Sequence, residues 1–407
     1  MKVQLLIAAT TLMISNVFAQ TFTNYTTSDG LLDNNVNCVD VDASGNVWFG
    51  TQGGVSMFTG SIWNNYTTSN SPGLADNMIQ AIYVAENGNI WAGTDFGVSY
   101  LSGGLWTTYT TADGLGNNQV KCIAEDANGD LWFGTNTGVS KLSGSSWTSY
   151  GTGDGLPFGG VTTITEHSNG DLWMGSGLGG VIIFDGTNFS FLTTNDGLID
   201  DRIRGLVIDD QNHKWVGTSE GITVMNENDA FSAHHTTIFT LPQPDTLNPI
   251  EDIKIDSQGN IWAGVYVDYL VTEGGVCAYD GNQWIEYHVA DGLVGPVVRA
   301  LAIDANDDVW VATSTGVSHI SDHMVSLKEL TSETFNVYPN PAKDVITIDL
   351  VQFDESGVVE LYSMAMQKVK FKAFTSDNST VTLNINDLDA GVYMLKVNDQ
   401  ARKVVLQ

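Results

Sequence analysis

The chain has 407 residues, 42% of them hydrophobic, with 16 Lys and Arg against 47 Asp and Glu, for a formal net charge of −31. That excess of acid excludes nucleic acid and anionic membranes as partners, because both need clustered Lys and Arg. Three cysteines are too few for a disulfide framework, and the length allows two domains.

The N-terminus reads as a secretory signal. Lys2 precedes the apolar run Leu5–Met13, and Val17-Phe18-Ala19 places small residues at −3 and −1 of a cleavage point after Ala19. The apolar run is too short to cross a bilayer, and no later segment is long and apolar enough. The expected product, after removal of 1–19, is exported without membrane insertion.

From residue 21 one unit recurs. Its core is VWFGT at 47–51, IWAGT at 90–94, LWFGT at 131–135, LWMGS at 172–176, KWVGT at 214–218, IWAGV at 261–265 and VWVAT at 309–313. The tryptophans Trp48, Trp91, Trp132, Trp173, Trp215, Trp262 and Trp310 are separated by 43, 41, 41, 42, 47 and 48 residues. A period near forty made of short strands is the signature of a blade array. In the third unit the pattern predicts four strands, near Val120–Glu125, Leu131–Gly134, Val139–Leu142 and Trp147–Tyr150, each bounded by Gly, Asn, Asp or Ser. Cys38 and Cys122 stand ten residues before a tryptophan, where other units carry small residues, and read as packing residues. The fourth strand carries an aromatic pair at i and i+3, as in Trp63/Tyr66, Trp106/Tyr109, Trp147/Tyr150 and Trp284/Tyr287, followed by a DGL-type turn. Phe22, Tyr25 and Asp29-Gly30-Leu31 repeat that signature with no first three strands before them, while the seventh unit lacks its aromatic pair. Residues 21–27 are therefore expected to supply the outer strand of blade seven, with Met324–Leu327 as the rival segment. The fold class is all-β: a seven-bladed β-propeller over 20–325.

These units, with Trp, GT and DGL in order, resemble the two-component regulator propeller repeat family over about residues 21–320. In that family such propellers usually form the periplasmic sensor half of hybrid kinases. With no kinase, transmembrane helix or response regulator following here, the resemblance implies the scaffold and not the signalling role.

From Phe335 the character changes. FNVYPNPAKDVITIDL at 335–350, VVELYSMAMQKVK at 358–370 and LNINDLDAGVYMLKV at 383–397 alternate apolar residues between turn signals. This predicts a small antiparallel β-sandwich over 334–407, joined through a linker at 326–333. Pro339-Asn340-Pro341, Gly391-Val392-Tyr393 and Lys403-Val404-Val405 closely resemble the C-terminal sorting domain of type IX (Por) secretion cargo. The resemblance implies the type IX machinery as a partner and a secreted product, extracellular or attached to the outer cell surface.

No catalytic constellation stands out, and no cofactor is expected. The recurrent D-x-x-G-x-x-W, as in Asp42 to Trp48, reads as a structural turn, since an isolated turn offers too few oxygens for calcium. His167, His213, His234, His235, His288, His319 and His323 follow no metal-ligand spacing, so no metal site is expected. Departures from the repeat mark where a ligand would sit. Eleven residues before each tryptophan stand Asn37, Gln80, Lys121, Thr162, Arg204, Glu251 and Arg299. This register starts the innermost strand at the channel mouth. Arg202, two residues before Arg204, is expected on the same side of its strand. Blade six lengthens its second-to-third loop with Tyr266, Asp268 and Tyr269, beside the irregular LPQPDTLNP at 241–249.

Lys121, Arg202, Arg204 and Arg299 would hold an anionic group and Tyr266 and Tyr269 would stack on a sugar ring. In the competing reading the cations pair with Glu251 and Asp200 or Asp201 and only offset an acidic wall. The expected function is a non-enzymatic binding or scaffold module for glycan or another surface protein. The rival class is a polysaccharide lyase or glycoside hydrolase at the same mouth.

Overall fold

The computed structural model describes residues 20–241, 248–265, 274–321, 337–350, 357–363, 368–375, 380–388, 390–397 and 400–406. The leader at 1–19, the linker at 326–333 and the rival closing segment Met324–Leu327 lie outside the described residues. The chain divides into two units, Met1–Val325 and Ser326–Gln407.

The first unit is a seven-bladed propeller of four-stranded antiparallel sheets. Blade three has its strands at Val120–Glu125, Leu131–Thr135, Gly138–Ser143 and Ser146–Gly151, running in that order from the axis outward. The first strands of successive blades touch one another around the axis, and that of blade seven (Val298–Ile303) touches that of blade one (Val36–Val41).

A single sheet cannot bury both faces, so each blade is stabilised by its neighbours. The contact is made at two recurrent positions. Twelve residues before the tryptophans stand Val36, Ile79, Val120, Val161, Ile203, Ile250 and Val298, all β-branched and all buried. Most pack on the glycine of the preceding blade's W-x-G. A Cβ at Gly93 would lie 2.8 Å from Val120 Cγ1, and one at Gly264 would lie 2.7 Å from Val298 Cγ1. Glycine is required there for close approach. The three cysteines are free, and Cys38 and Cys122 fill space against Gly50 and Gly134. Burial pushes the Cys122 thiol up to about 12, which leaves it inert at neutral pH.

The D-x-x-G-x-x-W turn is a clasp. One oxygen of Asp42 accepts the N–H groups of Ser44 and Asn46, and the other accepts Trp48 Nε1 at 3.0 Å. Asp126, Asp209, Asp256 and Asp304 hold Trp132, Trp215, Trp262 and Trp310 the same way at 2.9–3.2 Å. Blade two has Ala85 at this position, and the buried Trp91 Nε1 has no hydrogen-bond partner.

The ring is closed by the N-terminal strand. Thr21–Tyr25 pairs antiparallel with Gly316–Ser321, from Thr21 opposite Ser321 to Tyr25 opposite Val317. The aromatic pair sets this register: Tyr25 stacks on Trp310 (5.9 Å between centroids) and Phe22 meets Tyr287 edge-on (6.4 Å).

The second unit has two antiparallel sheets on one core. One contains Val337–Tyr338, Val345–Asp349 and Thr380–Asn384; the other contains Lys368–Phe374, Gly357–Ser363, Gly391–Val397 and Gln400–Leu406. Ile346, Ile348, Val359, Leu361, Leu395, Val397 and Val404 are fully buried between them.

The clasp generates a paired expectation for thermal melting. Asp42→Ala should lower stability by about 1–3 kcal/mol, because it orphans Trp48 Nε1 and two turn amides. Ala85→Asp should raise it by about 1 kcal/mol by giving Trp91 Nε1 its missing acceptor. An Ala85→Asp protein that melts no higher than the parent contradicts this assignment of the clasp.

Candidate functional site

In six blades the ladder between first and second strands shifts register at one place. Val36 pairs with Thr51 and Cys38 with Gly50, leaving Asn37 outside the ladder; Lys121, Thr162, Arg204, Glu251 and Arg299 are left out in the same way. Such a bulge re-aims the extra side chain. Here all six, with Gln80 of blade two, line one cavity of about 540 Å³ on the axis.

The cavity brings together Lys121, Arg202, Arg204 and Arg299, and adds Lys254, which the eleven-residue register did not mark. Lys254 lies three residues farther along its strand than Glu251; a bulge-aware reading of alternation would have found it. Of the seven Lys and Arg between residues 21 and 320, these five line the cavity, against two lining carboxylates, Glu251 and Asp252. Arg202 precedes the strand Ile203–Ile208, and the bulge follows Ile203, so simple alternation does not relate it to Arg204. Tyr266, Asp268 and Tyr269 lie outside the described residues.

The cations have partners. Lys121 Nζ is 3.1 Å from Asp95, Arg202 Nε is 3.6 Å from Asp200, and Lys254 Nζ is 3.4 Å from Asp252. Arg204 pairs with Glu251 of the next blade. Arg299 Nη1 donates to Asn37 Oδ1 at 3.2 Å, while its buried Nε has no protein partner. These links do not seal the surface: the side chains of Arg202 and Arg204 remain 58% and 39% exposed. Burial raises the pKa of Glu251, and Arg204 and Arg299 act against that rise.

Three exposed apolar side chains stand on loops at the same end of the blades. Phe96 and Leu178 lie on second-to-third loops, and Phe158 on the connection from blade three to blade four. Asp95, the partner of Lys121, is adjacent to Phe96. Phe158 O accepts Ser176 Oγ at 3.4 Å, which places it beside the loop of Leu178. Sequence reading missed all three; the sign was a large apolar residue set directly beside glycine in a loop, as in Phe96-Gly97, Phe158-Gly159 and Leu178-Gly179.

In the C-terminal unit the three motifs meet. Gly391, Val392 and Tyr393 pair with Leu406, Val405 and Val404. Asn340 Oδ1 accepts the N–H of Val405 at 2.8 Å, and Ala342 N–H donates to Val405 O at 2.8 Å.

Residues 336–407 match the profile of the secretion system C-terminal sorting domain, and residues 30–53, 73–96 and 114–137 match that of the two component regulator propeller. Three units of the ring carry the two component regulator propeller repeat, and the unit after it carries the secretion system C-terminal sorting domain. The sorting domain sends the chain through type IX secretion to the cell surface or beyond. Among described residues no helix is long and apolar enough to cross a membrane.

A comparison with curated proteins finds no match. Among solved structures, the propeller-bearing chain is similar to the extracellular domain of the putative hybrid two component system BT3049 from B. thetaiotaomicron (19% identity, 95% of this chain and 57% of that one, TM-score 0.64). It is similar to PorZ, a surface component of the type-IX secretion system of Porphyromonas gingivalis (18% identity, 92% of this chain and 60% of that one, TM-score 0.57). A streptogramin B lyase matches at 17% identity over 74% of this chain and 97% of its own (TM-score 0.57). At these identities the likeness shows the fold alone, and the chain spans less than two thirds of the first two structures.

The position of Glu251 gives the site a pH dependence with a definite sign. Its carboxylate competes with any incoming anion for Arg204 and Arg299. As pH falls through its raised pKa the carboxyl becomes neutral and the competition ends. Inorganic sulfate, charged throughout, should bind more tightly at pH 5 than at pH 7 by calorimetry, and Glu251→Gln should flatten the dependence. Affinity that falls with acidification would contradict this arrangement.

Proposed function

We propose that the propeller is a non-enzymatic binding module, displayed outside the cell, whose channel mouth takes an acidic glycan. The observation that carries this reading is the gathering of five of seven propeller cations at one cavity of a chain whose net charge is −31. Counter-ions that merely offset an acidic wall would be spread with the acids. Concentrated in a cleft with low-dielectric walls, they focus a local positive field. Phe96, Phe158 and Leu178 supply apolar surface at the rim for the faces of sugar rings, and we also assign Tyr266, Asp268 and Tyr269 to the site. An acidic segment of another surface protein is the second ligand class that fits this chemistry. The chain's likeness to the extracellular domain of a hybrid two component system and to PorZ agrees with a surface role, without naming a ligand.

One observation favours an enzyme as the second reading. A carboxyl with a raised pKa, set between arginines in a cleft, is the pattern of a general acid. A lyase acting on a uronate would use Glu251 there. Both carboxylates of the lining are engaged, Glu251 by Arg204 and Asp252 by the N–H of Leu301 at 2.9 Å, and no histidine is among the described lining residues.

Screening the full chain on a glycan array should select uronate-bearing or sulfated glycans over neutral ones. Lys121→Ala and Arg202→Ala should each weaken that binding by roughly tenfold, as expected for one charge-assisted hydrogen bond, with melting unchanged. Added salt should weaken it further. Binding indifferent to both substitutions would refute the site, and release of unsaturated sugars from a bound uronate glycan would replace the binding module with a lyase.

A further inference from the structure

The turn that clasps a blade tryptophan can have a third participant, the residue opposite that tryptophan on the third strand. In blade three this is Lys141, paired across the ladder with Trp132. Its ammonium lies 2.6 Å from Asp130 and 3.7 Å from Asp126, and 5.0 Å from the centre of the Trp132 ring. Two carboxylates on one turn thus share a resident cation.

Blade seven carries the same two carboxylates, Asp304 and Asp308, but its third residue is His319, paired across the ladder with Trp310. No other blade has acids at both turn positions. His319 stacks on Trp310, with ring centres 4.1 Å apart and planes 20° from parallel, and its Nε2 stands 3.2 Å from Asp308 Oδ2. One ligand atom from each of Asp304, Asp308 and His319 lies within 4.8 Å of the others.

We propose that these three residues form a zinc site, in which the metal ion takes the place that the Lys141 ammonium holds in blade three. Where blade three supplies a positive charge, blade seven supplies another lone pair. Two carboxylate oxygens and one imidazole nitrogen, with a fourth position for water, are a zinc ligand set. Bonds of about 2.0–2.1 Å at tetrahedral angles place ligand atoms roughly 3.3 Å apart, so a contraction of at most about 1.5 Å completes the site. The outer groups are in place to hold the ligands. Asp304 Oδ2 accepts Trp310 Nε1 at 3.2 Å, Asp304 Oδ1 accepts the N–H groups of Asn306 and Asp308, and the Trp310 ring fixes the imidazole plane. Calcium, which needs six to eight oxygens, is excluded by the same set.

The site lies at the end of blade seven away from the channel mouth, since the first strand begins at the cavity and ends in this turn. It also staples the turn to Gly316–Ser321, the strand on which the N-terminus closes the ring; Thr23 is the partner of His319 there. It stands apart from the proposed glycan reading.

The test is zinc titration of the chelator-stripped full chain at neutral pH, followed by calorimetry and by thermal melting. The wild type should take up one equivalent of zinc and melt higher with it, and should take up no calcium. His319→Lys reproduces the blade-three arrangement, so it should fold, melt at least as high as the metal-free wild type, and bind zinc at least tenfold more weakly. Asp308→Asn should also weaken binding at least tenfold. A wild type that takes up no zinc, or a His319→Lys protein that keeps its full equivalent, overturns the proposal.

Discussion

The contact on which the rest of this molecule depends is the seating of one β-branched side chain on the bare backbone of the preceding blade. Val120 against Gly93 and Val298 against Gly264 bring neighbouring first strands together near the axis. The same strand carries a bulge one residue later, so the residue after the seated one leaves the ladder and points into the channel. Packing and the lining of the channel are thereby separated by one residue. The seated position stays Val or Ile in every blade, while the next runs through Asn, Gln, Lys, Thr, Arg, Glu and Arg. A ring of interchangeable structural units presents seven independent side chains at one mouth.

The outer parts of the blades obey a second rule. The aspartate clasp satisfies the turn amides and the indole N–H with one carboxylate. Its fourth position needs a left-handed backbone, which glycine supplies in five blades and Asn212 (φ 63°) and Asp307 (φ 64°) in the other two. Variations on the clasp are informative. Blades two and four lack the acid, with Ala85 and His167 in its place, and blade two leaves its indole unsatisfied; blade seven keeps the clasp and adds a second acid with a histidine beside it.

Much of the fold was legible because its signals are periodic. The tryptophan spacing marked seven blades, and Phe22 and Tyr25 betrayed a fourth strand displaced to the N-terminus. The channel register was legible too, from counting back from each tryptophan. What escaped was whatever depends on departures from ideal strands or on pairing across a hairpin. Arg202 and Arg204 could not be related by alternation because a bulge lies between Ile203 and Gly205. Lys254 was overlooked for the same reason. Asp304, Asp308 and His319 follow no linear ligand spacing, since the hairpin that aligns Trp310 with His319 brings them together. The sorting motifs, scattered over residues 339–405, likewise make sense once Asn340 and Gly391–Tyr393 are seen bonded to the same terminal strand, Gln400–Leu406.

The central claim is that the cations at the channel mouth are there for a ligand and are not simply neighbours of acids. The most direct measurement is a crystal structure of the propeller-bearing chain with a sulfated or uronate oligosaccharide. The account predicts the anionic group in the axial cavity, within hydrogen-bond distance of at least two of Lys121, Arg202, Arg204 and Arg299, with a sugar face against Phe96, Phe158 or Leu178. An oligosaccharide ordered on another face of the ring, with the Arg204–Glu251 and Lys121–Asp95 pairs undisturbed, would contradict it.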